Sequence, residues 1–173
     1  KFLWKTWSFR TLMKNETKKR LLISILIVFF IFFLDRITKI IILNIADEAG
    51  KVDIYVNYFL NLYLVWNKGI GFGLLSFNEI SFYNAITFFI ILINFIIIYL
   101  IYLEKGVKTY FLLAILGGSF GNLFDRIYYN AVPDFIDLNY KAYHWFIFNV
   151  ADIFISLGII CLILAEIINY KKA

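Results

Sequence analysis

The sequence is poor in the residues on which several common protein classes depend. Its 173 residues include one cysteine (Cys161), one histidine (His144) and one proline (Pro133). One cysteine cannot form a disulfide within the chain, and one Cys with one His cannot fill the four positions of a structural zinc site. Charged residues make up only 17% of the chain, against about 25% in soluble domains. The composition excludes a disulfide scaffold, a structural zinc protein and an ordinary soluble domain, and predicts neither a metal nor a cofactor.

Apolar residues are abundant and occur in long runs. They make up 62% of the chain, and the mean hydropathy is +0.81. Four runs, at about 21–43, 82–103, 110–126 and 148–168, are separated by loops at 44–81 and 127–147. A helix of about 20 residues crosses a hydrocarbon core of about 30 Å, so the runs predict transmembrane helices, the third being short. We therefore expect an all-α membrane protein in which residues 1–173 form one integral domain.

The distribution of Lys and Arg orients these helices. Eleven of these residues flank the spans on the side of the termini and of the loop at 104–109, whereas the opposite side has four, three in the two longer loops and Arg126 at the end of the third span. The positive-inside rule predicts cytoplasmic termini and outward-facing longer loops. The net charge of +5 is attributed to this bias and to attraction for anionic membrane lipids, not to a nucleic-acid partner. The first span is too long for a cleaved signal peptide and is expected to be retained; translation could start at Met13 or upstream.

The first outer loop has a period of two. From Val52 to Trp66, apolar and more polar side chains alternate, which predicts strands with one buried face. Such strands could form a small sheet on the bilayer surface, or a platform that pairs with an extended peptide through its edge. The pattern does not decide between these two.

Ionisable residues are concentrated at one membrane face. This topology places there Asp35, Asp125, Asp134, Asp137 and Asp152, together with Asn67, Asn122 and Asn149. Lys39 follows Asp35 at i+4 on the same helix face, where an ion pair would steady the helix. Gly117, Gly118 and Gly121 predict close approach of a neighbouring helix to the third span. Charged groups at membrane depth are costly, so each is a candidate functional residue.

Several carboxylates without a metal set suggest two kinds of chemistry. Two neighbouring carboxyl groups cannot both ionise cheaply, so one keeps a proton while the other can take a proton from water. That is the chemistry of an aspartic protease. A carboxylate relay in a transporter would use the same groups, and the charges alone do not separate the two.

Five short motifs do separate them, because they occur together and in order. They are Asp35-Arg36-Ile37-Thr38-Lys39, Asn67-Lys68-Gly69-Ile70-Gly71-Phe72, the segment Gly117 to Arg126, the segment Val132 to Asp137, and Phe148-Asn149-Val150-Ala151-Asp152. With these motifs on a four-span plan, the chain resembles lipoprotein signal peptidase, or signal peptidase II, of bacterial inner membranes.

The resemblance implies an aspartic endopeptidase that cuts a prolipoprotein before its diacylglyceryl-modified cysteine. Asp134 and Asp152 would be the catalytic pair. Supporting or substrate-holding roles would fall to Asp35, Lys39, Asn67, Gly71, Asn122, Asp125, Arg126 and Asn149. The alternating strands would be the family's periplasmic cradle, and we expect a monomer without metal or cofactor.

The chain departs from the family's pattern at two places. Pro133 stands where an apolar residue with an N–H is expected, which argues against a regular strand ladder before Asp134. Ile153 follows Asp152 where a small residue is more usual, so it adds bulk beside a catalytic carboxylate.

Two alternatives remain on the sequence. Residues 117–121 fit G-x-S-x-G with Ser119 as nucleophile, and His144 would have to be its base. That pattern belongs to a strand–turn–helix elbow, whereas here it lies in an apolar helix. A small transporter or proton-relay protein would need a polar path across the midplane, where the sequence offers only scattered residues such as Asn94.

Overall fold

The computed structural model describes residues 2–69, 80–140 and 143–170. These residues form four long helices and one four-stranded antiparallel sheet. In chain order the elements are α1 (Phe2–Ala49), β1 (Asp53–Asn57), β2 (Leu60–Asn67), α2 (Ile80–Leu103), α3 (Val107–Tyr129), β3 (Val132–Tyr140), β4 (Tyr143–Phe148) and α4 (Val150–Tyr170). The predicted fold class, a four-helix membrane protein with a small sheet, is confirmed.

All four predicted spans are helices of sufficient length and hydropathy to cross a bilayer. The apolar spans run over Thr17–Ala49, Ser81–Leu103, Val107–Tyr129 and Val150–Tyr170. The first is longer than expected because α1 continues past the apolar run until Gly50, whose φ of 75° is left-handed. Glycine adopts this conformation at little cost, and it commonly ends a helix. The third span is not short, since α3 begins at Val107.

Helix α3 lies at the centre of the bundle. It packs against α1, α2 and α4, and also against β3. In its most apolar stretch 44% of residues are buried, whereas the other three spans reach 17–22%. The apolar core around it contains Ile97 from α2 with Leu112, Ile115 and Leu116 from α3. Because every other span touches α3, residues on this helix can reach partners on all sides.

Glycines on α3 permit two of these contacts, as predicted. A Cβ at Gly118 would lie 2.5 Å from the carbonyl oxygen of Ala151 on α4. A Cβ at Gly121 would lie 2.5 Å from the Oδ2 atom of Asp35 on α1. Real Cβ atoms do not approach that closely, so only glycine admits the α4 backbone and the Asp35 carboxylate at these two positions.

The sheet joins the two longer segments that connect the helices, one after α1 and one after α3. Its strand order is β1-β2-β3-β4, and β2 pairs with β3, so that Asn67 lies opposite Val132 and Val65 opposite Asp134. The strands predicted in the first segment are confirmed as β1 and β2. The single buried face is wrong for β1, whose five residues are all exposed, because this terminal strand packs chiefly against β2 and its faces are not covered. The sheet is anchored instead by Val52 and Phe135, which pack with Ile42 of α1.

Pro133 is part of a strand, contrary to the expectation that it disrupts the ladder. It lies in β3 opposite Trp66 of β2. The pairing of β3 with β4 covers only Ile136 to Tyr140, so β3 has no strand on its second side at Pro133. A proline is tolerated where its missing N–H would not join a ladder. The strand therefore continues through Pro133, and Asp134 is the next residue of β3.

Candidate active site

Asn149 connects the two aspartates that were expected to be catalytic. Its side-chain Nδ2 donates a hydrogen bond of 2.6 Å to Oδ1 of Asp134. Its backbone N–H donates to Oδ2 of Asp152 at 3.1 Å, and the backbone N–H of Asp152 donates to the Asn149 side chain at 3.1 Å. The strand-borne Asp134 and the helix-borne Asp152 thus share one hydrogen-bonded residue.

The reciprocal bonds between Asn149 and Asp152 form a capping box. Asn149 precedes the first helical residue of α4, and Asp152 is the third residue of that helix. In such a box the cap side chain satisfies the N3 amide, while the N3 side chain returns to the cap amide. The same bonds that start α4 therefore fix the orientation of the Asp152 carboxylate. The N-x-x-D spacing at 149–152 is a sequence signal from which this arrangement could have been predicted.

Two further amides complete the contacts of the carboxylates. Asn67, at the end of β2, donates through Nδ2 to Oδ2 of Asp134 at 2.8 Å. Asn122 on α3 donates through Nδ2 to Oδ1 of Asp152 at 2.9 Å. Both carboxylates are buried, with 2% of Asp134 and 7% of Asp152 exposed. Each carboxylate therefore has amide donors on both of its oxygens, and none of these donors carries a charge.

The surroundings of Asp134 favour its protonated form. Burial, and secondarily the neighbouring charge of Asp152, raise the pKa of Asp134 to about 7. The amide bonds from Asn67 and Asn149 act in the opposite direction, because they stabilise the carboxylate. An aspartic acid that keeps its proton near neutral pH can donate a hydrogen bond to a carbonyl oxygen.

A buried cluster of four charges lies behind this pair. Lys39 Nζ is 2.9 Å from Asp35 and 2.7 Å from Asp125. Arg36 reaches both oxygens of Asp125, at 2.5 and 2.7 Å, and one oxygen of Asp35 at 3.1 Å. None of Asp35, Lys39 or Asp125 is exposed to solvent. Two positive and two negative charges balance, so the cluster leaves no uncompensated buried charge.

The charge cluster contacts the aspartate pair at two points. Lys39 Nζ donates to Oδ1 of Asn122 at 2.8 Å, which orients the opposite end of that amide towards Asp152. Asp35 accepts the backbone N–H of Ala151 at 3.0 Å, in the first turn of α4. The first amides of a helix lack partners within the helix, and a carboxylate there is favourable. The cluster thus holds the beginning of α4 and the amide of Asn122.

Arg126 lies on the other side of the site, at the end of α3. Its guanidinium donates to the carbonyl of Gly69 and stacks 5.3 Å from the ring centre of Tyr83. The side chain is 4% exposed, and within the described residues its Nε and Nη1 have no hydrogen-bond partner. Buried donors without partners are costly, so a ligand oxygen at this position would satisfy them.

Most residues expected in the site are brought together. The contacts above connect Asp35, Lys39, Asn67, Asn122, Asp125, Asp134, Asn149 and Asp152, with Arg126 beside Gly69. Gly71 lies outside the described residues. Asp137 is buried further along β3 with Asn139 Nδ2 at 3.5 Å. Arg36 was not predicted as a site residue, although its motif was recognised.

A buried aspartate pair at the end of a four-helix membrane bundle defines a polytopic membrane aspartic peptidase, and comparison with known proteins places it more narrowly. The family model described as Signal peptidase (SPase) II matches residues 27–168. The chain belongs to this family, the A8 peptidases.

Individual relatives agree with the family match. The lipoprotein signal peptidase of Pelagibacter ubique is 50% identical over 161 residues, which cover 92% of this chain and 97% of that protein. The lipoprotein signal peptidase of Aquifex aeolicus is 37% identical over 154 residues, covering 88% and 90%. Two solved bacterial membrane enzymes superpose with TM-scores of 0.67 and 0.65, at 28% and 32% identity. They cover 86% and 83% of this chain and 90% and 91% of their own lengths.

Removing the buried lysine should destabilise the protein strongly. Lys39→Met leaves two buried carboxylates with one cation, a change that typically costs about 3–5 kcal/mol. The free energy of unfolding in detergent micelles measures it. Lys51→Met is the control, because its pair with Asp53 is 3.8 Å long and largely exposed, and such pairs contribute less than about 1 kcal/mol. Equal losses in the two variants would contradict the role of the cluster.

Proposed function

We propose that Asp134 and Asp152 are the catalytic pair, and that the chain cuts the peptide bond before a diacylglyceryl-modified cysteine in prolipoproteins. The observation that carries this assignment is Asn149, whose side chain binds Asp134 while its backbone binds Asp152. Lipoprotein signal peptidases are the relatives with which the chain aligns over most of its length. Family membership supplies the class of reaction, and the contacts of Asn149 point to these two residues.

The two carboxyl groups differ in surroundings, which assigns them different tasks. Asp152 lies at the positive end of the α4 dipole and accepts bonds from the Asn149 N–H and the Asn122 amide. The helix dipole, which Asp134 on its strand lacks, favours an ionised carboxylate at Asp152, and this carboxylate can accept a proton from the attacking water. Asp134, with its pKa raised to about 7, keeps its proton and donates a hydrogen bond to the scissile carbonyl oxygen.

The reaction then balances without any other group. The water oxygen bonds to the carbonyl carbon, its proton moves to Asp152, and the carbonyl oxygen is stabilised by the proton of Asp134. The C–N bond breaks when the nitrogen of the cysteine receives a proton from the pair, which leaves a new carboxyl group on the signal peptide. In this proposal the buried Nε and Nη1 donors of Arg126 donate to a backbone carbonyl of the substrate.

Replacing either aspartate should stop cleavage. Asp134→Asn and Asp152→Asn remove a titrating group but keep the shape, and loss of acid–base catalysis lowers turnover by about 10²–10⁴-fold. Turnover is measured as the gel shift of a lipidated prolipoprotein with purified variants in detergent. Ser119→Ala is the matched control, because Ser119 lies within α3 and not on an elbow. Full activity in either Asn variant would remove that residue from the pair, and an inactive Ser119→Ala would favour a serine protease.

Cleavage should decline as the pH rises through about 7. Deprotonation of Asp134, whose pKa is about 7, removes the donor to the carbonyl oxygen, so activity is retained below that pH and lost above it. Asn67→Ala removes a bond that lowers the pKa of Asp134 and should therefore move this decline to higher pH. The pH profile of kcat measures both effects. The exposed neighbour Lys68→Ala serves as control, and an unchanged profile for Asn67→Ala would contradict the assignment.

We further propose that the chain is a monomer in the bacterial inner membrane, with both termini in the cytoplasm. The charge bias supports this orientation, because eleven Lys and Arg residues flank the helix ends remote from the aspartates. The aspartate pair then faces the periplasm, the side on which a signal peptide is removed.

The orientation can be tested with a reporter enzyme that is active only in the periplasm. An alkaline phosphatase fused after Ala173 should be inactive in cells, whereas the same reporter inserted between β1 and β2 should be active. The opposite pattern of activity in the two fusions would contradict the proposed orientation.

A further inference from the structure

A cavity lies at the end of the bundle remote from the aspartate pair. It has a volume of about 410 Å³ and is lined by the start of the apolar span of α1, the α2–α3 connection and the first turns of α3. Its lining residues are Lys19, Arg20, Ile23, Ser24, Lys105, Gly106, Thr109, Tyr110 and Leu113. Arg20 precedes Asp35 by 15 residues, about 22 Å along a helix, so this cavity is separate from the site described above.

Three cations converge on the cavity. Lys19 and Arg20 come from α1, and Lys105 comes from the α2–α3 connection. Arg20 is fixed at the wall, because its Nη2 donates to the carbonyl oxygens of Ile101, at 2.7 Å, and Glu104. Lys19 and Lys105 are exposed and have no such anchor in the described residues. One acidic group lies close to the cavity, since Oε1 of Glu104 is 3.8 Å from a Cβ built on Gly106. The cavity therefore keeps an excess of positive charge.

The remaining walls combine polar and apolar side chains. Ser24 and Thr109 supply hydroxyl groups, whereas Ile23 and the buried Leu113 supply apolar surface. The Thr109 hydroxyl donates to the carbonyl of Glu104 at 3.2 Å, which leaves its oxygen able to accept a bond. A ligand that fits these walls has an anionic head, hydroxyl or ester groups below it and an apolar remainder.

We propose that this cavity binds the headgroup of an anionic phospholipid. Its phosphate would lie against Lys19, Arg20 and Lys105, and its glycerol against Ser24 and Thr109. Basic pockets between transmembrane helices at the headgroup level are suited to such lipids. Lys19 lies close to Thr17, where the apolar span starts, so the cavity lies at the level of the lipid headgroups. Inorganic phosphate shares the charge but not the acyl chains, so it would gain nothing from Ile23 and Leu113.

The test is native mass spectrometry of the purified full chain in detergent, titrated with phosphatidylglycerol and phosphatidylcholine of equal acyl chains. The wild type should bind phosphatidylglycerol at least about tenfold more tightly. Lys19→Gln/Lys105→Gln should lose this preference. The matched control is Lys18→Gln/Lys108→Gln, which removes the same charge at the same end; neither residue lines the cavity, and Lys108 pairs with Glu166.

Each outcome decides the proposal. An equal loss in both double variants would mean a general surface-charge effect and overturn it, as would an absent preference in the wild type. Inorganic phosphate that displaces phosphatidylglycerol at equal concentration would identify a free-phosphate site and overturn the lipid assignment. Should the Gln variant fail to fold, Lys19→Arg/Lys105→Arg should retain the preference and Lys105→Gln alone should weaken it. Retention of the full preference in Lys105→Gln would also overturn the proposal.

Discussion

The burial of Lys39 is the constraint on which the rest of the site depends. A lysine with no exposed surface is tolerated only when carboxylates surround it, and Asp35 and Asp125 both lie within 3 Å of its Nζ. These partners belong to α1 and α3, so the helices have one register in which the charge is satisfied. Asp35 extends the constraint to α4 through the Ala151 amide. Satisfying one buried charge therefore fixes the three helices that carry the site.

The molecule separates the groups that hold the helices from the groups that contact the aspartate pair. Arg36 and Lys39 bind Asp35 and Asp125, whereas Asp134 and Asp152 receive their hydrogen bonds from the side chains or backbone of Asn67, Asn122 and Asn149. A cation in direct contact would favour the ionised form of both carboxyl groups. Neutral amides orient the carboxyl oxygens of Asp134 and Asp152 and favour the ionised form less than a cation would. Burial can then keep a proton on Asp134 near neutral pH, as the proposed reaction requires.

Much of this arrangement follows from local sequence, and the remainder from contacts across the chain. Long apolar runs predicted four spans, and the order of these spans placed the aspartates at one end of the bundle. The role of Arg36 did not follow, because its partner Asp125 is 89 residues away and no periodicity encodes that pairing. The strand through Pro133 was missed for a similar reason, since only the strand order shows that one side of β3 is open there. The capping box at Asn149 could have been predicted from the sequence, because it depends only on the spacing of Asn149 and Asp152.

The position of the pair at a junction between sheet and bundle explains how a lipid-anchored substrate could be cut. Asp134 belongs to a strand and Asp152 to a span, so the pair exists only when the sheet docks on the helices. The cluster of Ile42, Val52 and Phe135 provides that docking, because it joins the end of α1 to both outer segments. In the proposed reaction, a peptide bond at this junction would lie at the boundary between bilayer and water. The acyl chains and signal helix of a substrate would then remain in the membrane, while the scissile carbonyl would reach two carboxyl groups that are buried in the protein.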